Sequence, residues 1–251
     1  MKLGKAPARP RATDLLFATY RTSAPLPKRP RTFGHDAIIP TNGWKTLAND
    51  RVGCCVFSGF AHMVMLWNKI RGVDVEFSDE SVLSDYAAVT GYTPKDPSTD
   101  QGTDVHDALD YFRKTGVVDA SGKRHKIAAY VSLEAANLSE AYEAMYLFDG
   151  IASGFDLPKS AESQFAADKP WSVVSNSPSV GGHFVPPVAL GAGPKIHGIT
   201  WGRDQLITPG FYRAKNDESF AVFSEEYLDD KGLSPEHFNK AALLADIAAL
   251  G

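Results

Sequence analysis

The sequence predicts an α+β protein in two halves, with helices in the first half and strands in the second. In the first half, apolar side chains recur at spacings of three and four residues, the period of a helix with one buried face. In the second half, short apolar runs are separated by turn residues, which is typical of antiparallel strands. We expect a helical lobe over about 45–145 and a β lobe over about 150–230. A cleft between two such lobes is a usual place for an active site.

Composition supports a globular chain. Of the 251 residues, 43% are hydrophobic and 22% charged, which excludes collagen, coiled coil and wholesale disorder. No stretch approaches the roughly 18 apolar residues of a membrane span, and the N-terminus lacks the apolar core of a signal peptide. The two cysteines, Cys54 and Cys55, are neighbours and cannot close a disulfide loop. We therefore expect a cytoplasmic protein with no membrane partner.

Residues 1–32 form a basic, proline-rich N-terminal arm ahead of a domain expected over 33–251. The arm holds eight Lys/Arg, five prolines and one acid, Asp14, so its net charge is +7 and that of the remainder is −11. Two interpretations stay open: an extended arm lying along an acidic body, or a frayed terminus. The arm has no groove-reading motif and no interleaved aromatic pattern, so a nucleic-acid partner has little support.

Helices are expected where apolar periodicity meets capping residues. The longest begins near Cys55 and closes at Arg71-Gly72. A second is expected from the N-cap Ser78 to the stop at Gly91. The predicted helical ranges are about 55–70, 79–90, 104–115, 139–148 and, after Ser234, 235–249. The predicted strands are Ile151–Leu157, Trp171–Val174, His183–Leu190, Ile196–Trp201 and Gly210–Ala214.

Cys55 and His183 are the residues best placed for chemistry. Cys55 opens the long apolar helix, and the N-terminus of a helix lowers the pKa of a thiol. Cys54 competes for the same role, and spacing alone does not choose between the two. His183 follows two glycines at the head of an apolar strand, and it lies 128 residues beyond Cys55 in the opposite half. That arrangement is typical of a cysteine hydrolase dyad.

Several motifs, taken in order, resemble the papain-like cysteine peptidase family. Residues 49–58 resemble the family's Gln-x-x-x-Gly-x-Cys segment, with Asn49 at the glutamine position and Cys55 as the nucleophile. Gly182-His183-Phe184-Val185 resembles the family's histidine strand. The other matching blocks are Gln101–Asp104 with the helix after it, Gly150–Phe155, Trp201-Gly202 and Gly210–Arg213.

The resemblance implies a papain-like two-lobe fold and a thiol protease that hydrolyses peptide bonds in a polypeptide substrate. Cys55 would form a thioester, with His183 as base and acid, and Asn49 would help to hold the oxyanion. No metal or cofactor is expected, and the oligomeric state is left open. The substrate-binding residues implied are Gly102, Thr103, Ser153, Gly182 and Trp201.

Three departures from the family pattern raise questions. Ile199 stands where the family has an Asn that orients the histidine, and adjacent Thr200 should point to the other face of a regularly alternating strand. Asn49 is one methylene shorter than glutamine. Pro186-Pro187 interrupts the histidine strand and suggests an edge or a bulge.

Two alternatives to a peptidase stay open on the sequence: an inactive papain-like binding or structural protein, and a cell-wall amide hydrolase with the same dyad. Residues 1–40 are too short for the long inhibitory prosegment of many relatives. We hypothesise that they nevertheless lie near the cleft.

Overall fold

The computed structural model describes residues 1–20 and 27–227, in which helices pack against antiparallel sheets. The helices are α1 (Phe17–Tyr20), α2 (Cys55–Ile70), α3 (Asp79–Thr90), α4 (Val105–Lys114), α5 (Leu138–Phe148), α6 (Lys159–Ala166) and α7 (Pro209–Lys215). The strands are β1 (Phe33–Gly34), β2 (Val117–Val118), β3 (Arg124–His125), β4 (Ile127–Leu133), β5 (Ile151–Pro158), β6 (Ser179–Val185), β7 (Pro187–Leu190), β8 (Ile196–Thr200), β9 (Arg203–Ile207) and β10 (Asn216–Ser224). None of the helices within these described ranges is long and apolar enough to cross a membrane.

Helix α2 is the central element of the core. Residues 55–68 are all buried, so the helix is covered on every side. It packs against β6, and the contact is close because residue 59 is glycine. A Cβ at Gly59 would lie 2.4 Å from the Phe184 ring. This packing holds the start of α2 beside the strand that carries His183.

The helices of the first half follow their capping signals. The Ser78 side chain accepts a hydrogen bond from the Ser81 backbone at the start of α3, and Gly91 ends the helix in the left-handed conformation. Asp104 and Asn137 cap α4 and α5 in the same way as Ser78. The predicted helices over 55–70, 79–90, 104–115 and 139–148 are therefore confirmed to within a residue or so.

The strands form two larger antiparallel sheets and one small pair. One sheet has the order β4-β10-β5-β6, the other has the order β1-β7-β8-β9, and β2 pairs with β3. Pro186 lies between β6 and β7, where the chain leaves the first sheet and enters the second. The predicted interruption at Pro186-Pro187 is thus a crossover, with a register shift between Pro187 and Ala189.

Two predicted strands are wrong. Trp171–Val174 makes only an isolated bridge, from Trp171 to Ile207. Gly210–Ala214 lies in helix α7, because the Thr208 side chain caps the Phe211 backbone and Pro209 occupies the first turn. The prediction missed the helices α1 and α6 and the strands β1, β2, β3, β4, β9 and β10. The helix expected at 235–249 after Ser234 lies outside the described residues.

Candidate active site

Cys55 is the first residue of α2 and faces the neighbouring lobe. It is buried, and the backbone N–H groups of Phe184 and Gly4 lie close enough to the sulfur to influence its charge. Phe184 directly follows His183 on β6, so the sulfur lies beside the strand that carries the histidine. Gly4 belongs to the N-terminal arm. The sulfur therefore lies between the histidine strand and the arm.

Cys54 faces a different environment from its neighbour. Its Sγ lies 3.5 Å from both the Leu47 carbonyl oxygen and the Ser58 hydroxyl, inside the helical half. Burial raises the pKa of this thiol to about 12. Of the two cysteines that the sequence left in competition, the geometry therefore favours Cys55.

His183 is oriented by Thr200 and by Trp201. Its Nε2 lies 2.7 Å from the Thr200 Oγ1, and the Trp201 ring stacks on the imidazole at 4.4 Å between centroids. The expectation that Thr200 points away is wrong. Thr200 is the last residue of β8, before a tight turn in which Trp201 and Gly202 both have positive φ. Ile199 is buried and takes no part in the contact.

Burial favours the neutral forms of both His183 and Cys55 in this state. Burial lowers the pKa of His183 to about 3, and burial raises the pKa of Cys55 to about 11 against the lowering effect of the Phe184 and Gly4 backbones. The His183 Nδ1 is buried and has no hydrogen-bond partner among the described residues. Because Thr200 occupies Nε2, Nδ1 is the nitrogen left to exchange a proton with a thiol.

Asn49 contacts the N-terminal arm with its side-chain amide. Its Nδ2 donates to the Lys2 carbonyl oxygen at 3.2 Å and to the Val52 carbonyl oxygen at 3.1 Å. The Trp201 Nε1 also donates to the Lys2 carbonyl oxygen, at 3.4 Å. The shorter side chain thus reaches a peptide carbonyl in the groove, next to the start of α2.

Residues 2–6 of the arm, here called the inner segment, lie in the groove, with isolated β-bridges from Lys5 to Thr103 and to Gly182. The Thr103 N–H donates to the Gly4 carbonyl oxygen at 2.8 Å, and the Ala6 N–H donates to the Thr103 carbonyl oxygen at 2.9 Å. Across the groove, the Lys5 N–H donates to the Gly182 carbonyl oxygen at 3.1 Å. A Cβ at Gly102 would lie 2.5 Å from the Gly4 oxygen, so glycine is needed for this approach.

The Lys5 side chain fills a pocket between β5 and β10. Its Nζ lies 2.9 Å from the Glu218 Oε1 and 3.0 Å from the Asp217 Oδ2. Ser153 lies beside this pocket, where its hydroxyl contacts the Ser219 hydroxyl at 2.8 Å and does not touch the lysine. The pocket that the sequence associates with Ser153 is therefore acidic at its far end.

Residues 9–14, here called the outer segment, run along helix α4 on the surface. Arg9 pairs with Asp104 at 2.8 Å, and Arg11 pairs with Asp107 at 2.7 Å and with Asp110 at 3.2 Å. Of the two interpretations of the arm, its described residues follow the first, an extended chain along an acidic surface.

Other histidines are accounted for by local contacts. His62 is buried against the Trp44 and Lys45 carbonyl oxygens, and burial lowers its pKa to about 4. His197 lies with Asp36 and Asp204, whose carboxylates raise its pKa to about 10. A metal ligand must be a neutral imidazole. At neutral pH the His197 cluster is therefore a set of ion pairs.

The sequence identified residues on both walls of the groove but missed several others. Asn49, Cys55, Gly102 and Trp201 lie along the inner segment, and His183 directly follows Gly182, which bonds to that segment. Thr200 was considered and rejected on strand alternation. Lys5, Asp217 and Glu218 carry no motif, and the only signal was the opposite charge of the arm and the body.

A cysteine that opens a buried central helix, facing a histidine strand across a groove between two lobes, is the arrangement of the papain-like fold. Structural comparison confirms that the chain has this fold. Xylellain, a cysteine protease from Xylella fastidiosa, superposes with a TM-score of 0.62 at 12% identity, over 88% of this chain and 96% of that one.

Two further solved structures show the same fold. Procathepsin B S9 from Trypanosoma congolense matches with a TM-score of 0.58 at 14% identity, over 89% of this chain and 87% of that one. The Carica candamarcensis cysteine protease CMS1MS2 in complex with E-64 matches with a TM-score of 0.58 at 14% identity, over 78% of this chain and 99% of that one. No protein-family model matches the sequence, and no curated protein matches it.

Proposed function

We propose that this protein is a cysteine peptidase whose own N-terminal arm occupies its substrate groove. The observation that carries the proposal is the inner segment, which lies as a peptide between Thr103 and Gly182 and places Gly4 against the Cys55 sulfur. The groove holds an extended polypeptide through main-chain hydrogen bonds that any peptide can make. A neighbouring thiol and imidazole are the groups that peptide hydrolysis through a thioester needs.

The proposed mechanism uses the two nitrogens of His183 differently. Thr200 accepts a hydrogen bond from Nε2–H, which leaves the lone pair on Nδ1 to take the thiol proton of Cys55. The sulfur attacks the peptide carbonyl carbon, and His183 gives the proton to the departing amine. Water then adds to the thioester, with His183 as base, and releases the acid and the free thiol. The Asn49 amide and the Cys55 N–H hold the developing oxyanion.

The inner segment is itself a peptide, yet the burial of the thiol and the imidazole disfavours attack on it. The Gly4 N–H lies near the Cys55 sulfur, where it acts as a hydrogen-bond donor. Burial also keeps the thiol protonated and the imidazole neutral. The state with the arm bound is therefore the resting state, and turnover requires the arm to leave.

A labelling and digestion experiment tests the proposal. The full chain with Lys5→Glu, a change that we expect to open the groove, is incubated with an epoxide thiol probe and with a peptide library. We expect labelling at Cys55 and cleavage of peptides, and both should be lost in Cys55→Ala but kept in Cys54→Ala. His183→Ala should lower cleavage by roughly a thousandfold or more.

Other results of this experiment would favour a different function or a different nucleophile. Labelling at Cys55 without cleavage of any peptide would favour a papain-like binding protein. Cleavage of peptidoglycan stem peptides alone would favour a cell-wall amide hydrolase. Labelling at Cys54 in place of Cys55 would overturn the assignment of the nucleophile.

We also propose that the protein works in a reducing compartment such as the cytoplasm. Both Cys54 and Cys55 are free, and the proposed nucleophile must stay a thiol to act. Fractionation of cells that express the tagged full chain would test this location.

A further inference from the structure

The pocket that holds Lys5 is built for a cation. The Lys5 side chain has no exposed surface, and its ammonium group contacts two carboxylates and the Ala6 carbonyl oxygen, the last at 2.8 Å. An ammonium group has three N–H donors, so each donor has an acceptor. A buried lysine with all its donors satisfied in this way marks a specific site and not a chance surface contact.

The two acidic residues face the same pocket because of a bulge in β10. Neighbouring residues of a regular strand point to opposite faces. In β10 the register against β5 shifts between Asn216 and Glu218, so Asp217 is an extra residue and both acids reach the Lys5 ammonium. The Asn216 side chain fixes the bulge by donating to the Gly154 carbonyl oxygen at 2.8 Å and the Glu218 carbonyl oxygen at 2.9 Å.

The pocket also has the shape of a long, unbranched side chain. Gly154 forms its wall, and a Cβ at this position would lie 2.6 Å from the Lys5 Cδ and 2.7 Å from the Cε. The pocket does not end at the ammonium group. Asp217 and Glu218 also line an adjoining cavity of about 310 Å³. The Asp217 Oδ1 is buried with no hydrogen-bond partner among the described residues, which leaves an acceptor for a guanidinium.

The backbone contacts of Lys5 connect this pocket to the proposed chemistry. Lys5 follows Gly4, whose N–H lies beside the Cys55 sulfur, and its main chain is held between Thr103 and Gly182. Those main-chain bonds are the same for every sequence. Selection among peptides must therefore come from side-chain pockets, and a neutral side chain here would leave two carboxylates unpaired.

We propose that Asp217 and Glu218 make the groove selective for polypeptides that place a lysine or arginine side chain in this pocket, and that Lys5 occupies the pocket as an internal copy of that side chain. As a statement about which substrates are cleaved, this inference rests on the proposed peptidase function. The pocket's preference for a cation is a binding property and can be measured without turnover.

The binding test uses the full chain with Lys5→Glu, which clears the pocket, together with Cys55→Ala. Fluorescent twelve-residue peptides copy the start of the arm with lysine, arginine, norleucine or glutamate at the fifth position, and anisotropy gives their affinities. We expect the lysine and arginine peptides to bind at least about tenfold more tightly than the norleucine peptide. Equal binding of the lysine and norleucine peptides would overturn the proposal.

Matched variants separate charge from shape. Adding Asp217→Asn and Glu218→Gln should remove the preference for the basic peptides, whereas Glu80→Gln, an exposed change on α3, should keep it. Gly154→Ala should weaken binding of the lysine peptide and of the norleucine peptide alike, because the added methyl group narrows the pocket. If Lys5→Glu does not fold, Lys5→Ala serves as the second background, with folding checked by circular dichroism.

Turnover then distinguishes the two proposals. With Cys55 restored, cleavage of basic and neutral peptides at equal rates would overturn the selectivity and leave the peptidase intact. A retained binding preference with no cleavage of any peptide would overturn the peptidase and leave the cation pocket.

Discussion

The two segments of the N-terminal arm are held by different forces. The inner segment makes main-chain hydrogen bonds to both walls of the groove and buries Lys5 completely. The outer segment relies on Arg9 and Arg11, whose side chains are 70% and 34% exposed. Exposed ion pairs contribute little in water, whereas a buried charge that loses its partners costs several kcal/mol. The inner segment should therefore decide whether the groove is open, and the outer segment should only adjust it.

Reversing the charge of Lys5 should have the largest effect. Lys5→Glu places a third carboxylate against Asp217 and Glu218, so we expect the rate of Cys55 alkylation to rise roughly a hundredfold. Lys169→Met, at an exposed lysine outside the groove, is the control and should leave the rate unchanged. If Lys5→Glu is alkylated as slowly as the unmodified chain, the inner segment does not control access to the sulfur.

Lowering the pH should have the second-largest effect on the opening of the groove. The closed state lowers the His183 pKa from its ordinary 6.5 to about 3, so it binds fewer protons than an open state with a hydrated imidazole. Stability of the closed state is therefore full above pH 6.5 and is lost as the pH falls toward 3. Between pH 7 and pH 5 the open fraction should rise by at most roughly 25-fold.

The measurement is the alkylation rate of the wild-type chain divided by that of Lys5→Glu at each pH, which removes the intrinsic pH dependence of the thiol. A ratio that stays flat from pH 7 to pH 5 would show that arm release does not hydrate His183.

Crowding the backbone of the inner segment should have a smaller effect. Gly102→Ala places a methyl group 2.5 Å from the Gly4 oxygen, and we expect alkylation of Cys55 to rise about tenfold. Gly122→Ala is the matched control, since both glycines have positive φ but a Cβ at Gly122 meets nothing within 4 Å. Equal alkylation rates in the two variants would show that the clash with the Gly4 oxygen does not open the groove.

The outer segment should respond least. Arg9→Gln with Arg11→Gln removes the exposed ion pairs to α4, and we expect a rise in alkylation of only about threefold. Salt at about 0.5 M should produce a similar rise in the wild-type chain and almost none in the double variant, because it screens the same pairs. A tenfold or greater effect of the double variant would reverse the ranking of the two segments.

Local sequence signals predicted most of the longer helices. The features that were missed depend on pairing between residues that are distant in the sequence. Helix α3 begins after Ser78 and ends before Gly91 because capping is decided within a few residues. Residues 210–214 looked like a strand because Phe211 and Tyr212 are β-forming, yet Thr208 and Pro209 start a helix there. The motif match predicted Cys55 and His183 as a pair, and the structure places Cys55 at the start of α2 and His183 on β6, the strand that packs against that helix.

The parts of the site that were missed depend on geometry that the sequence does not encode locally. The position of Thr200 follows from the turn after it, not from strand alternation. The pairing of Lys5 with Asp217 and Glu218 joins residues more than two hundred positions apart, through a bulge that only the sheet register reveals. Charge asymmetry left an arm lying along the acidic body as one of two interpretations, and it did not indicate which lysine would be buried.

The place of the inner segment in the chain has a consequence for biosynthesis. Its contacts lie at Thr103, Gly182 and Glu218, so the inner segment leaves the ribosome long before the groove that receives it exists. By the time the walls of the groove are assembled, the inner segment is already tethered beside them at high local concentration. A newly made molecule would therefore fold with its groove already occupied by a segment of its own chain.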